Sequence, residues 1–151
     1  MRNILAGCTA LVFVGCAATN QSSDAPKQYQ SLAAPTPVGV ALVIKAESDG
    51  QNVTAKVGTQ IAVELVGVPT AGYVWTVTEK PDFLEAAGEY GGPTSSAQLE
   101  PGFAGGSHWE AFLFNVMTSG EGVLRLEQRR PWEGDTEPAA DEFSVFLFAE
   151  K

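Results

Sequence analysis

The sequence has little of what catalysis or metal binding requires. It contains two cysteines, Cys8 and Cys16, and one histidine, His108. Zinc sites are built from clusters of Cys and His ligands, and a cysteine nucleophile needs a partner base, so neither arrangement can form after residue 16. There is also no Gly-x-Ser-x-Gly segment and no glycine-rich loop followed by lysine that could cradle a phosphate. We therefore expect no cofactor, no catalytic residue and a binding protein rather than an enzyme.

Positive charge is also scarce, because nine Lys and Arg residues face 18 Asp and Glu residues and the net charge is -9. Nucleic-acid binding needs a basic surface, so we exclude a nucleic-acid partner. The acidic residues are densest between positions 133 and 142, without the regular spacing of a calcium loop. We interpret this stretch as a solvated loop and predict no metal site, with loose cation binding as the alternative. Its members are Glu133, Asp135, Glu137, Asp141 and Glu142.

The first sixteen residues, MRNILAGCTALVFVGC, have the order of a bacterial lipoprotein signal peptide. Arg2 supplies positive charge, and the uncharged residues 4–15 are too few to span a bilayer as a helix. Phe13-Val14-Gly15-Cys16 resembles a lipobox, whose cysteine is lipidated. We predict a signal peptide over residues 1–16, a membrane contact through lipid on Cys16, and a cell-envelope protein anchored at the periplasmic face or the outer membrane. An ordinary secretory signal is the alternative.

Residues 17–37 are rich in Ala, Ser, Gln, Thr and Pro and have no apolar period, which predicts a flexible tether. From residue 38 to residue 151 short alternating segments separated by turn residues predict strands, and no helix is long enough for a parallel crossover. We expect an all-β fold, an immunoglobulin-like antiparallel β-sandwich of seven or eight strands with Trp75 in its core. Residues 82–87 are ambiguous between a helical turn and an edge strand. The strands are predicted at 39–46, 52–57, 60–66, 73–78, 94–99, 108–116, 123–128 and 142–149.

Three connecting segments stand out from the strands. The first loop, residues 67–73, contains Pro69, which fixes its own φ, and Gly72, which permits a positive φ. The second loop, residues 101–107, is glycine-rich and lets the backbone approach a partner. The third loop, residues 129–133, contains Arg-Pro-Trp, and Arg and Trp are enriched in binding hot spots. Each segment alone is compatible with a plain turn, and Trp132 could instead pack back onto the sandwich.

Topology is expected to bring the three loops together. Alternate connections of a sandwich lie at the same end, and these segments fall where the B–C, D–E and F–G loops of an immunoglobulin-like order would be. One rigid end would then present a three-part wedge suited to filling a cleft.

The three loops resemble those of the chagasin family of cysteine peptidase inhibitors. Residues 68–73 resemble its Asn-Pro-Thr-Thr-Gly-Tyr loop, residues 103–106 its Gly-x-Gly-Gly loop, and residues 130–132 match its Arg-Pro-Trp motif. The resemblance implies reversible inhibition of papain-like cysteine peptidases, with the first loop near the catalytic cysteine and the other two on either side. We also expect the protein to be a monomer. The implied peptidase-binding residues are Val68, Pro69, Thr70, Ala71, Gly72, Tyr73, Phe103, Ala104, Gly105, Gly106, Arg130, Pro131 and Trp132.

Three positions depart from the family pattern. Val68 replaces Asn, Ala71 replaces the second Thr, and Phe103 replaces a Gly. The lost amide and hydroxyl were candidate hydrogen-bonding groups, so inhibition could be weaker or directed at another target. The main alternative is a non-inhibitory binding or adhesion module of the cell envelope on the same sandwich. An enzyme that depends on His108 is a more distant alternative.

Overall fold

A computed structural model of the chain describes residues 27–133 and 137–151, and it shows two four-stranded sheets packed face to face. The described part contains three short 3-10 turns, at Ala46–Ser48, Pro69–Ala71 and Ser96–Leu99, and no longer helix. The predicted all-β, immunoglobulin-like sandwich of seven or eight strands is therefore confirmed. The eight strands are β1 (Leu42–Lys45), β2 (Asn52–Lys56), β3 (Gln60–Gly67), β4 (Val74–Glu79), β5 (Leu84–Pro93), β6 (His108–Val116), β7 (Gly120–Arg129) and β8 (Asp141–Glu150).

The strand order is β1-β3-β6-β5 in the first sheet and β2-β8-β7-β4 in the second. The long central strands pair antiparallel, as predicted. The short edge strands differ, because β1 runs parallel to β3 and β2 runs parallel to β8. The sheets are therefore mixed, and the purely antiparallel pairing expected from the sequence is wrong at one edge of each sheet.

The core lies between the two sheets and follows the alternation read from the sequence. Ile61, Val63 and Leu65 of β3 point inward and are at most 2% exposed. Trp75 is 7% exposed, which confirms its predicted place in the core. Burying one aliphatic or aromatic side chain of this size stabilises a fold by about 1.5–3 kcal/mol, so this face fixes the register of each strand.

Two predicted segments, 94–99 and 82–87, can be compared with the secondary structure that they adopt. Residues 94–99 form a capped turn rather than the predicted strand, because the Ser95 hydroxyl accepts from the Ala97 N–H and the Gln98 side chain accepts from the Ser95 N–H. Of residues 82–87, positions 82 and 83 form a turn, and the rest belong to the ten-residue β5 at the free edge of the first sheet. Of the two interpretations, the edge strand is confirmed.

Residues 27–37, which we call the strap, are the described part of the segment predicted to be a tether. They lie along the outer face of the first sheet. Ser31 forms a β-bridge with Ser95, and the Trp109 indole donates to the Leu32 carbonyl at 2.8 Å. Further along, the Thr36 hydroxyl donates to the buried carboxylate of Glu64. The strap thus runs from the loop-bearing end of β6 towards the opposite end, where β1 begins.

Residues 1–26 lie outside the described part, so the signal peptide, the lipid on Cys16 and the first half of the tether remain predictions. The proposed domain boundary at residue 38 likewise stays a prediction. In the described ranges no helix is long and apolar enough to cross a membrane.

Candidate functional site

All three loops project from the same end of the sandwich. In the first sheet, Gly67 at the end of β3 and Pro93 at the end of β5 both pair with His108, the first residue of β6. In the second sheet, Val74 at the start of β4 pairs with Arg129 at the end of β7. The first loop crosses from one sheet to the other, and so brings both sets of strand ends together.

The first loop is held in one shape by its own backbone. Val68 and Tyr73 form an isolated bridge with N–H to carbonyl distances of 3.2 Å in both directions. Between them a single 3-10 turn begins at Pro69 and ends at Gly72, whose φ of 86° lies in the left-handed region. Proline fits the first position of such a turn and glycine fits its end, so the sequence itself dictates this shape.

The third loop lies directly against the first. The Arg130 guanidinium donates to the Ala71 carbonyl at 3.1 Å, and its carbon lies 4.3 Å from the centre of the Tyr73 ring. Glu133 accepts a second bond from Arg130 at 2.8 Å, which raises the pKa of the guanidinium. Arg130 is therefore fixed between its carboxylate partner and the first loop.

Trp132 also contacts the first loop, at Gly72. Its indole ring lies so close to Gly72 that a Cβ at that position would overlap it. The side chain is nevertheless 70% exposed. Trp132 therefore packs on the first loop and leaves most of its ring on the surface, rather than entering the sandwich core.

The second loop is joined to the first by one described side-chain hydrogen bond, from the Thr70 hydroxyl to the Gly106 carbonyl at 3.2 Å. Its own support comes from the capped turn before it. The Gln98 amide donates to the Ser107 carbonyl at 2.8 Å. Phe103, the residue that departs from the family pattern, is 46% exposed at the tip of the loop.

The strap supports the same capped turn from the other side. The Leu32 N–H donates to the Thr94 carbonyl at 2.8 Å, and the Ser96 N–H donates to the Gln30 carbonyl at 2.8 Å. An ion pair of 2.8 Å joins Lys27 to Glu100, directly before the second loop. These bonds bring the N-terminal end of the described chain to the loop-bearing end of the molecule.

A carboxylate under the first loop was missed by our reading of the sequence. Glu110 on β6 points between the sheets, and its Oε2 accepts from the Trp75 N–H at 2.9 Å. Burial raises the pKa of Glu110, the Trp75 N–H and His108 oppose this rise, and Glu89 adds to it. The available signal was an acid at an inward position of an otherwise apolar strand, in line with Phe112 and Phe114.

The surface at this end has the character of a binding site. Exposed large apolar side chains occur on each loop, and such clustering on a soluble domain is typical of interaction sites. Among residues 27–133 and 137–151, no group of three or more His, Cys, Asp or Glu residues could hold a metal ion. The acidic stretch falls partly in positions 134–136, outside the described residues. The exposed loop side chains are Val68, Phe103 and Trp132.

Comparison with known families gives this geometry a context. The sequence profile of the chagasin family peptidase inhibitor I42 matches residues 54–146, more than half of the chain. The chain belongs to this family. Members of the family are peptidase inhibitors and not enzymes, which confirms both the resemblance seen in the loops and the prediction that the protein is not an enzyme.

Solved structures show the same fold. The chain is similar to the cysteine protease inhibitor EhICP2 from Entamoeba histolytica, with a TM-score of 0.61, 14% identity, and coverage of 72% of this chain and 96% of that one. It is also similar to amebosin, with a TM-score of 0.55, 23% identity, and coverage of 72% and 97%. At such identities the likeness concerns the fold. A search of curated protein sequences found no significant match.

Proposed function

We propose that this chagasin-family protein is a reversible inhibitor of papain-like cysteine peptidases that blocks the active-site cleft with its three loops. The observation that carries the proposal is the mutual contact of the loops at one end of a rigid sandwich. A surface that is ordered before binding loses little conformational entropy on association, so such a wedge suits tight binding without any covalent step.

In this proposal the first loop enters the cleft and the other two lie along its rims. Residues 68–73 would contact the region near the catalytic cysteine, and residues 103–106 and 130–132 would contact the two sides. Trp132 would be the principal anchor, because a large, exposed and pre-positioned indole is the kind of side chain that dominates binding energy.

The departures from the family pattern leave the first loop's shape intact. Its backbone bonds join Ala71 N–H to the Val68 carbonyl and Gly72 N–H to the Pro69 carbonyl, both at 2.9 Å, and none of them needs an Asn or Thr side chain. The replacements at positions 68 and 71 therefore change what the loop offers to a target. We expect them to alter target choice and affinity rather than loop folding.

A titration tests the proposal. A soluble fragment beginning at Ala25 retains the strap and all three loops, and it should inhibit papain reversibly at near-stoichiometric ratio. Trp132→Ala should weaken inhibition by about 2 kcal/mol, roughly thirtyfold, because it removes the anchor while leaving the fold unchanged. Papain activity that persists in excess inhibitor, together with capture of a non-peptidase envelope partner, would support the adhesion alternative.

We further propose that the protein is a monomer, made as a lipoprotein with lipid on Cys16 and anchored in the cell envelope. The order of residues 1–16 supports the anchor. Cys16→Ser should abolish palmitate labelling and release the protein from membranes. Release of unlabelled wild-type protein into the soluble fraction would instead favour an ordinary secretory signal.

A further inference from the structure

Glu110 occupies an inward position of β6, where an ionised carboxylate destabilises the fold. Its strand neighbours on the inward face, Phe112 and Phe114, are core residues. Its Oε1 atom is buried and accepts no hydrogen bond from the described part of the chain. An ionised group held away from water without full hydrogen bonding destabilises a fold, so packing alone does not account for this side chain.

The place of Glu110 in the fold suggests what it does. The first loop is the crossover between the two sheets. Gly67 at the end of β3 and Trp75, the second residue of β4, lie on its two sides, and Glu110 contacts both. Its Oε2 accepts from the Trp75 N–H at 2.9 Å, and its Oε1 fills the space that a Cβ on Gly67 would need.

A second bond completes the base of the loop. The Trp75 indole donates to the Val66 carbonyl at 3.0 Å. Trp75 is thus attached to β3 through its side chain and to β6 through its backbone. β4 is paired with β7 in its own sheet, and the Glu110 bond joins its backbone to β6 in the other sheet, next to the first loop.

The surroundings of Glu110 supply no competing ion pair within the described ranges. His108 on the same strand and Glu89 on β5 are the charged or titratable groups that act on it. Glu110 pairs with Leu65 on β3 and Gly91 on β5 and contacts Gly67 and Trp75, and none of these residues titrates. The carboxylate is therefore directed at the backbone of β4 and not at a charged side chain.

We propose that Glu110 is a positioning residue for binding: by holding β4 against β6 it sets how the first loop projects towards a target. The proposal rests on the proposed inhibitory function only for its effect on affinity. Its effect on the first loop can be measured without any peptidase.

The test compares Glu110→Ala with Glu110→Gln, which keeps an oxygen acceptor. Amide hydrogen exchange of the soluble fragment reports the loop directly. In Glu110→Ala we expect exchange at Ala71, Gly72 and Tyr73 to accelerate about tenfold, while amides at the far end of β8 stay unchanged, because one hydrogen bond to a charged group is lost. Glu110→Gln should restore exchange to within about twofold, and the exposed Glu121→Ala is the matched control.

Inhibition of papain is the second measurement. Glu110→Ala should weaken it about tenfold, and Glu110→Gln should stay within about threefold of the parent. Unchanged first-loop exchange in Glu110→Ala would overturn the proposal, and so would a Gln variant as impaired as the Ala variant. If the parent protein does not inhibit papain, the proposed function fails, while the exchange data still decide the role of Glu110.

Discussion

The first and third loops behave as one structural unit, and the second loop belongs to another. Arg130 and Trp132 both contact the first loop directly, through the Ala71 carbonyl, the Tyr73 ring and Gly72. The second loop contacts the first through the single described bond from Thr70 to Gly106 and otherwise depends on the capped turn and the strap. The wedge is therefore two supported pieces that meet at one hydrogen bond.

This difference predicts which loops a substitution should disturb. A change in the first loop should disturb the third, because the two share an aromatic contact and an arginine. A change in the strap should disturb the second loop and leave the other two in place.

The largest effect is expected from Gly72→Ala. The added methyl would overlap the Trp132 ring, and the positive φ of 86° would be unfavourable for alanine. We expect inhibition to weaken about a hundredfold, since the anchor is displaced and the first loop is strained at once.

Gly58→Ala, outside all three loops, is the matched control for that substitution. Gly58 also has a positive φ, 79°, but a methyl group added there would meet no atom within 4 Å, so backbone strain acts there alone. If both variants weaken inhibition equally, contact between Gly72 and Trp132 is not what joins the first and third loops.

A fragment beginning at residue 38 should show a smaller effect. It lacks the strap, so the Trp109 indole and the Glu64 carboxylate lose their described partners. We expect a lower melting temperature, about tenfold weaker inhibition and faster amide exchange in the second loop. A fragment beginning at Lys27 is the control, and faster exchange in the first loop as well would contradict the division into two units.

Thr70→Val removes the one described hydrogen bond between the two units. Its loss should weaken inhibition by about 1 kcal/mol, roughly fivefold, with little change in stability because both groups are near water. Thr76→Val, at an exposed position of β4, is a suitable control. An effect as large as that of Gly72→Ala would mean that the second loop is more tightly coupled than its contacts indicate.

The smallest expected effect is on the pH dependence of stability, through Glu110 beside the first loop. Burial raises the folded-state pKa of Glu110 above its unfolded value. Its neutral form therefore favours folding at pH values below the unfolded pKa, and that stability is lost as pH rises through the folded pKa. Glu110→Gln should melt at a slightly higher temperature than the parent at pH 7, and the difference should shrink as the pH is lowered towards 4. A difference that grows on acidification would contradict this sign.

The sequence predicted the alternating strands and the three loops because each depends on local residue patterns. Residues 108–116 are rich in apolar and aromatic side chains and form β6 with the predicted bounds. Pro69 and Gly72 predicted a stiff first loop. In the structure, backbone hydrogen bonds close this loop around a single 3-10 turn. These features needed only short-range signals.

The features that sequence reasoning missed depend on contacts between distant segments. β1 pairs in parallel with β3, and β2 pairs in parallel with β8, so both pairings depend on contacts that a local sequence pattern does not contain. Ser31 meets Ser95 and Thr36 meets Glu64 across long stretches of chain, so composition alone predicted only a tether there. Glu110 was overlooked because its significance comes from Trp75 on the opposite sheet.

The strap also places the first described residue of the chain at the loop-bearing end of the molecule. Lys27 is bonded to Glu100 beside the second loop. If Cys16 carries the proposed lipid, ten residues, 17–26, separate it from Lys27. Fully extended, the eleven residue spacings from Cys16 to Lys27 reach at most about 40 Å. The wedge would then be confined to a thin layer above the bilayer, and the inhibitor would select peptidases by their distance from the membrane as well as by the shape of their clefts.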